Sequence, residues 1–274
     1  MSLVAIARKE VLDLGRSKTP WALAAVVTLV VAVPVLTQSG GASRTDLAPV
    51  ERALTSVVTL GSLLLPLALL VASYDAVADE VDSGSVTYLL GLPNTRFAAV
   101  AGKLVGRTVV ASLGVVAAFG VGGLLFVVQF GGLPVVTYLA ILALTLYFAA
   151  TWTAIGVGIS ALAGTRTRAL ACALGAYLTL VLGWILPLVL RPRAAAAYLV
   201  ESLLGLGARP ELYDFAFRLS PTTAYASAAN GVLSGGETTP FFLRAGFMLP
   251  ILLGWLVAPV ALGYLRFRDA ELAS

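Results

Sequence analysis

The chain has no histidine, one cysteine, two methionines and only 12% charged residues. Each shortage removes a class of function. With Cys172 and Met248 the only sulfur side chains after Met1, a relay passing copper between soft ligands lacks its ligands, and no metal site is expected. A single thiol builds no disulfide framework within the chain. The acidic residues stand outside the long apolar runs, with Asp75 at the edge of one of them. Carriers driven by protons or sodium depend on ionisable groups or broken helices inside the membrane, which disfavours secondary transport. No phosphate loop is present: Gly102-Lys103 is followed by Leu104 instead of Ser or Thr, and Phe97 stands where the first Gly belongs. The chain is therefore not expected to be an enzyme or to bind a cofactor, and energy for any transport has to come from another chain.

What is abundant is apolar surface. The sequence is 59% hydrophobic with a mean hydropathy of +0.95, more than a water-soluble core of 274 residues requires. Charge-free runs cover 19–43, 53–74, 108–165, 169–190 and 245–265. About 20 helical residues cross a hydrocarbon layer of roughly 30 Å, so each shorter run holds one helix. The run Thr108 to Thr165 is too long for one helix and carries Gly131-Gly132-Leu133-Pro134 near its middle, so it reads as a hairpin of two. The expected fold is an all-α, multi-pass integral membrane protein, a single domain over 1–274. Its six transmembrane helices are expected near 20–38, 53–74, 108–130, 136–163, 169–190 and 243–265.

Lys and Arg set the orientation. With both termini cytoplasmic, the inner segments hold eleven basic residues (Arg8, Lys9, Arg16, Lys18, Arg96, Lys103, Arg107, Arg166, Arg168, Arg266, Arg268) and the outer loops six, with Arg244 at the outer edge of the last span. This asymmetry accounts for the net charge of +4, and no nucleic-acid partner is implied. Residues 2–18 read as an amphipathic helix lying in the membrane interface, retained in the mature protein because Glu10 and Asp13 do not suit a signal peptide. Leu3, Val4, Ile6, Ala7, Val11 and Leu14 share one arc; Arg8, Lys9, Asp13 and Arg16 share the other, and Glu10 intrudes on the apolar arc. Snorkelling, or pairing with a neighbouring basic residue, is the simplest reading of that intrusion. Between the last two spans, 191–242 is too apolar for a plain loop and suits short or re-entrant outer helices, one of them starting at Ser220-Pro221. Gly102-x-x-x-Gly106 matches the small-residue packing pattern weakly, since it lies at the membrane edge and encloses Lys103.

The stretch Ser73 to Arg107 is the most informative. The second span is expected to continue as helix through Asp75, Asp79, Glu80 and Asp82 and to stop at Gly84, the usual residue just past a helix end. Ser85 can cap a short second helix with Val86, Leu89, Leu90 and Leu92 on its apolar face, Pro93-Asn94 then turns the chain, and Arg96, Lys103 and Arg107 lead into the third span. A short amphipathic helix at the membrane surface suits a groove in a partner protein. The bland reading is that the acids pair with Arg96 or Lys103 of the same chain.

In this order, Glu80, Asp82, Gly84, Ser85, Val86, Leu89, Leu90, Pro93, Arg96, Gly102, Lys103 and Gly106 resemble the signature of the type-2 ATP-binding cassette (ABC) permease family. Ser73-Tyr74-Asp75-Ala76 looks most like the branch containing the permease of the nitrous-oxide reductase maturation transporter. Arg8-Lys9-Glu10, Arg16-Ser17-Lys18 and Leu219-Ser220-Pro221-Thr222 are similar to that family as well. Val81 stands where many relatives have Arg, and Asn94-Thr95 where they have Val-Ser.

The resemblance implies the cell-membrane permease subunit of an ATP-driven transporter, an exporter. It pairs with a second copy or a similar chain, and it works with an ABC ATPase subunit that binds ATP and Mg. It also implies that Glu80, Asp82, Gly84, Leu89, Leu90, Arg96 and Lys103 contact that ATPase through a coupling helix, aided by the N-terminal helix with Arg8, Lys9, Glu10 and Arg16. The branch implies copper- or sulfur-related cargo; the apolar spans suit a hydrophobic compound equally. The alternative of another class is a non-transporting membrane scaffold that recruits a soluble partner.

Overall fold

The computed structural model describes residues 3–15, 17–38, 49–83, 95–186, 191–234 and 240–269. All regular structure in them is helical: α1 Leu3–Gly15, α2 Thr19–Thr37, α3 Pro49–Val71, α4 Ala78–Asp82, α5 Arg96–Phe130 and α6 Val135–Ala163 come first. Next is α7, Arg166–Ile185, whose stretch Leu178–Leu182 is π-helical. Then follow α8 (Pro192–Ala197, continued as π-helix over Tyr198–Leu203), α9 Pro210–Phe217, α10 Pro221–Leu233, a 3₁₀ turn Phe241–Leu243, and α11 Ala245–Asp269. Six of these are long and apolar enough to cross a membrane: α2, α3, α5, α6, α7 and α11.

The expected hairpin forms where Gly and Pro allowed it. Gly131 ends α5 in the left-handed region at φ 73°, its N–H bonded to Val127, and Pro134 precedes α6. The third span differs from expectation. Its helix begins at Arg96 instead of 108, headed by Thr95, whose hydroxyl accepts from Ala98 N at 3.1 Å. Lys103 and Arg107 do not interrupt the helix because Glu10 of α1 pairs with both, and Arg96 is held by the end of α11.

The second span also differs. It does not run on through Asp82 but stops at Val71, turns over Ala72–Val77, and resumes as the five-residue α4. Tertiary partners take up backbone groups that the break releases. The guanidinium of Arg107 donates to Ala72 O, and the Ser160 hydroxyl accepts from Val77 N at 2.9 Å and Ala78 N at 3.0 Å. The short helix expected after Gly84, with Ser85, Leu89 and Leu90, lies outside the described residues, as does Arg16.

α6 lies at the centre. Trp152, Phe148 and Ile141 on it are fully buried, together with Phe126 of α5, Met248 of α11 and Tyr225 of α10. Phe148 and Tyr225 stack at 4.2 Å, and Tyr225 shares a hydrogen bond of 2.9 Å with Thr145. α10 is thus part of the core, reached by a re-entrant path. Trp255 Nε1 donates to Leu219 O at 2.8 Å, Trp184 Nε1 to Phe217 O at 2.7 Å and Ser220 Oγ to Leu180 O at 2.7 Å. Trp255 lies ten residues into α11, about 15 Å along its axis, so the α9–α10 turn sits well inside the span. Pro221 opens α10 as expected, but the Ser220 hydroxyl bonds Leu180 instead of capping. These bonds give donors to the carbonyls of Phe217 and Leu219 at the turn and tie the turn to α7 and α11.

Candidate functional site

At one end of the bundle α1, the break after α3, α4, and the starts of α5 and α7 meet the last turn of α11. The chain gathers its charge here. α5 places Gly102 and Gly106 on one face and Lys103 and Arg107 beside them, because residues four apart stack one turn above each other. α1 lies in the seat the glycines leave. A Cβ on Gly102 would stand 2.7 Å from Ile6 Cγ2, and one on Gly106 would stand 2.7 Å from Glu10 Cβ. The small-residue pattern therefore packs two helices of one chain.

That seat brings Glu10 onto the basic pair. Arg107 Nε donates to Glu10 Oε1 at 2.8 Å, its Nη1 reaches Asp75 Oδ1 at 2.7 Å, and Lys103 Nζ stands 3.5 Å from Glu10 Oε2 and 2.8 Å from Glu80 Oε1. Three carboxylates thus share two cations, in a seam where the Lys103 side chain is 6% and Arg107 11% exposed. Opposite charges at these distances, partly withdrawn from water, attract far more strongly than surface pairs. Glu10 is the intruder on the apolar arc, and its pairing explains it. Arg8 and Lys9 are exposed on the other side of α1.

α4 is held from three directions. Glu80 turns inward to Lys103 on α5. Ser160 of α6 caps its first N–H groups. Arg166, at the start of α7, lies 3.4 Å from Asp79 through Nη1, and its backbone N donates to Asp82 Oδ2 at 3.4 Å. Asp79 and Asp82 are exposed while Glu80 is half-buried, so α4 presents two acids outward and keeps one for the seam. Arg96 serves a different element: its Nη1 donates to Phe267 O at 2.7 Å and to Arg268 O, binding the end of α11. Of the expected site residues, then, Glu10, Glu80 and Lys103 are brought together, Asp82 lies on the adjoining face, and Arg96 is at the α11 end. Gly84, Leu89 and Leu90 are outside the described residues.

Three participants were not singled out from the sequence as site residues. Arg107 carried a signal in the repeated Gly-basic pairs Gly102-Lys103 and Gly106-Arg107, which put two small and two cationic residues on adjacent stripes, and Asp75 carried one in its place at the edge of the second apolar run. Ser160 carried none, being one small residue among several in α6. Ser160→Ala is expected to leave two buried N–H groups without their acceptor and to destabilise the fold by about 2 kcal/mol. Thermal unfolding of the purified protein checks this, and an unchanged Tm would show that the turn finds another acceptor.

Comparison with known proteins gives this arrangement its context. Residues 4–272 match the model of the ABC-2 family of transporter proteins. The chain is 26% identical over 279 residues to a protein described as a probable ABC transporter permease protein NosY from Stutzerimonas stutzeri, with 96% of each chain covered. It is 26% identical over 276 residues to the correspondingly named protein of Pseudomonas aeruginosa PAO1, again with 96% of each covered. With six membrane-crossing helices and a family match over nearly its whole length, this chain belongs to the ABC-2 family and is the multi-pass permease subunit of an ABC transporter.

Proposed function

We propose that the α1 end of the bundle faces the cytoplasm and receives the ATPase partner, with α4 as the described part of the docking surface. The observation that carries this reading is the seam Glu10–Lys103–Glu80, which fastens α4 to α1 and to the base of α5. A push on α4 is thereby passed to α1 and α5 together. The concentration of Lys and Arg at this end supports the cytoplasmic orientation. ATP and Mg are bound and turned over in the partner. The chain acts as one permease domain that pairs with a second copy or a similar chain.

Within this surface the acids divide their work. Asp82 and Asp79 face outward, where a basic partner can meet them, and Glu80 is a positioning residue that fixes α4 through Lys103. The double variant E80Q/D82N is expected to insert and fold, because Lys103 keeps Glu10. In the purified complex with the ATPase, its cargo-stimulated ATP turnover is expected to fall by about tenfold, within the usual range of coupling energies. Full stimulated turnover in the double variant would remove α4 from the docking surface.

A further inference from the structure

The seam holds α1, α4 and α5 together, but α7 meets α4 on other terms. Its first residue, Arg166, reaches Asp79 only at 3.4 Å, between side chains that are 55% and 58% exposed, and its backbone N donates to Asp82 Oδ2, also at 3.4 Å. Glu80, by contrast, holds Lys103 at 2.8 Å where the lysine is nearly buried. Long, exposed pairs contribute little and are readily exchanged, whereas breaking a buried pair is costly. The first half of α7, Arg166–Tyr177, buries only Ala169, Ala173 and Tyr177, one stripe at four-residue spacing. Two of the three are alanines, which place little apolar area against the neighbouring α3 and α6. Leu170 and Leu174 are exposed.

The second half of the same helix is anchored. Ser220 Oγ donates to Leu180 O at 2.7 Å and Trp184 Nε1 to Phe217 O at 2.7 Å, so this half is tied to the turn before α10, and Val181 is fully buried. Between the halves lies Leu178–Leu182, the only π-helical stretch inside a span among the described residues. A π-turn carries one residue more than the α-turn it replaces, and such turns are places where helices bend without proline. Tyr177 at its edge donates through its hydroxyl to Leu63 O at 3.2 Å, which keeps the bend point on α3. α7 thus has one anchored half, one lightly held half, and a bend point between them.

We propose that the first half of α7 moves during transport, turning on Leu178–Leu182, and that Arg166 is the positioning residue that latches it to α4. In the latched state Asp79 accepts the guanidinium, and Asp82 accepts the free N–H at the head of α7, where the helix dipole favours a carboxylate. A basic residue of the ATPase that engages Asp79 and Asp82 competes with Arg166 for them. The first half of α7 is then released, while Lys103 keeps α4 on α5 through Glu80. This deepens the docking reading above and rests on it for the arrival of the push at α4.

The test uses the permease assembled with its ATPase. Arg166→Ala is expected to raise cargo-independent ATP turnover about threefold, the scale of a lost exposed ion pair, and Arg166→Lys to restore most of the latch. A residue that only docked the ATPase would lower turnover instead. Cys172 is the only thiol of the chain and is exposed in the moving half. An environment-sensitive fluorophore placed there before assembly is expected to shift its emission when the complex is trapped with ATP and vanadate. Deleting Thr179, an exposed residue of the π-turn, closes the turn to α-helix and is expected to lose that shift and to lower cargo-stimulated turnover about tenfold. An unmoved probe in the parent complex overturns the proposal whether or not the deletion variant folds. So does unchanged or lower turnover in Arg166→Ala, or full stimulated turnover in a folded deletion variant. If E80Q/D82N keeps full stimulated turnover while Arg166→Ala raises the basal rate, the docking reading fails and the moving half stands. The reverse pattern removes the latch and leaves docking intact.

Discussion

Arg107→Met is expected to destabilise the permease by about 3 kcal/mol, the lower end of the range for removing one partner of a buried ion pair. The guanidinium serves three acceptors: Glu10 Oε1 at 2.8 Å, Asp75 Oδ1 at 2.7 Å and Ala72 O. With a methionine there, both carboxylates keep their desolvation and lose their strongest compensation, while Lys103 stays beside Glu10 at the longer distance of 3.5 Å. The carbonyl at the α3 break loses its donor as well. Arg107→Lys is expected to recover only part of the loss, because an ammonium cannot span three acceptors with the geometry of a planar fork. Thermal unfolding in detergent reads the effect. Glu10→Gln in the Arg107→Met background should cost less than Glu10→Gln alone, the signature of two residues in one network. An Arg107→Met protein that melts with the parent would show that the seam contributes nothing to the fold.

The membrane-spanning part of the fold was largely legible in the sequence. Its information is local: apolar runs of spanning length, and Gly131 with Pro134 where two helices had to part. The ends of the spans were less legible. α5 runs unbroken through Lys103 and Arg107 because α1 shields them, and α3 stops at Val71 because Arg107 donates to the loosened carbonyl of Ala72 while Ser160 accepts from the amides of Val77 and Ala78. Both facts depend on residues 35 to 97 positions away, and no helical period reports them. The site shows the same division. Glu10 was visible as a misplaced acid and Lys103 as a misplaced base, yet only the packing of Ile6 on Gly102 shows that they belong together. Ser160 was invisible because a serine bonding two amides of another element reads like any small residue on a helix face.

Gly102→Leu combined with Gly106→Leu should separate docking of α1 from formation of the bundle. The new side chains would meet more than flexible tips. Leu3 O lies 3.2 Å from the Cβ position of residue 102, and Ala7 O 3.0 Å from that of residue 106, so the backbone of α1 itself has to move away. Glu10 is then pulled from Lys103 and Arg107, and Glu80 loses its link to α1 through Lys103. The remaining helices pack mainly around α6 and do not need α1, so insertion and expression are expected to persist. Transport is expected to fall by about tenfold or more, the scale of a lost coupling energy. Trypsin supplies a readout independent of transport. Arg8 and Lys9 lie on the exposed side of a docked helix, and a folded helix resists cleavage in proportion to how seldom it opens. Trypsin applied to inside-out vesicles is expected to cut there roughly tenfold faster in the double variant. Cutting confined to right-side-out vesicles would reverse the proposed orientation. Equal rates in parent and variant would mean that the glycine seat does not hold α1.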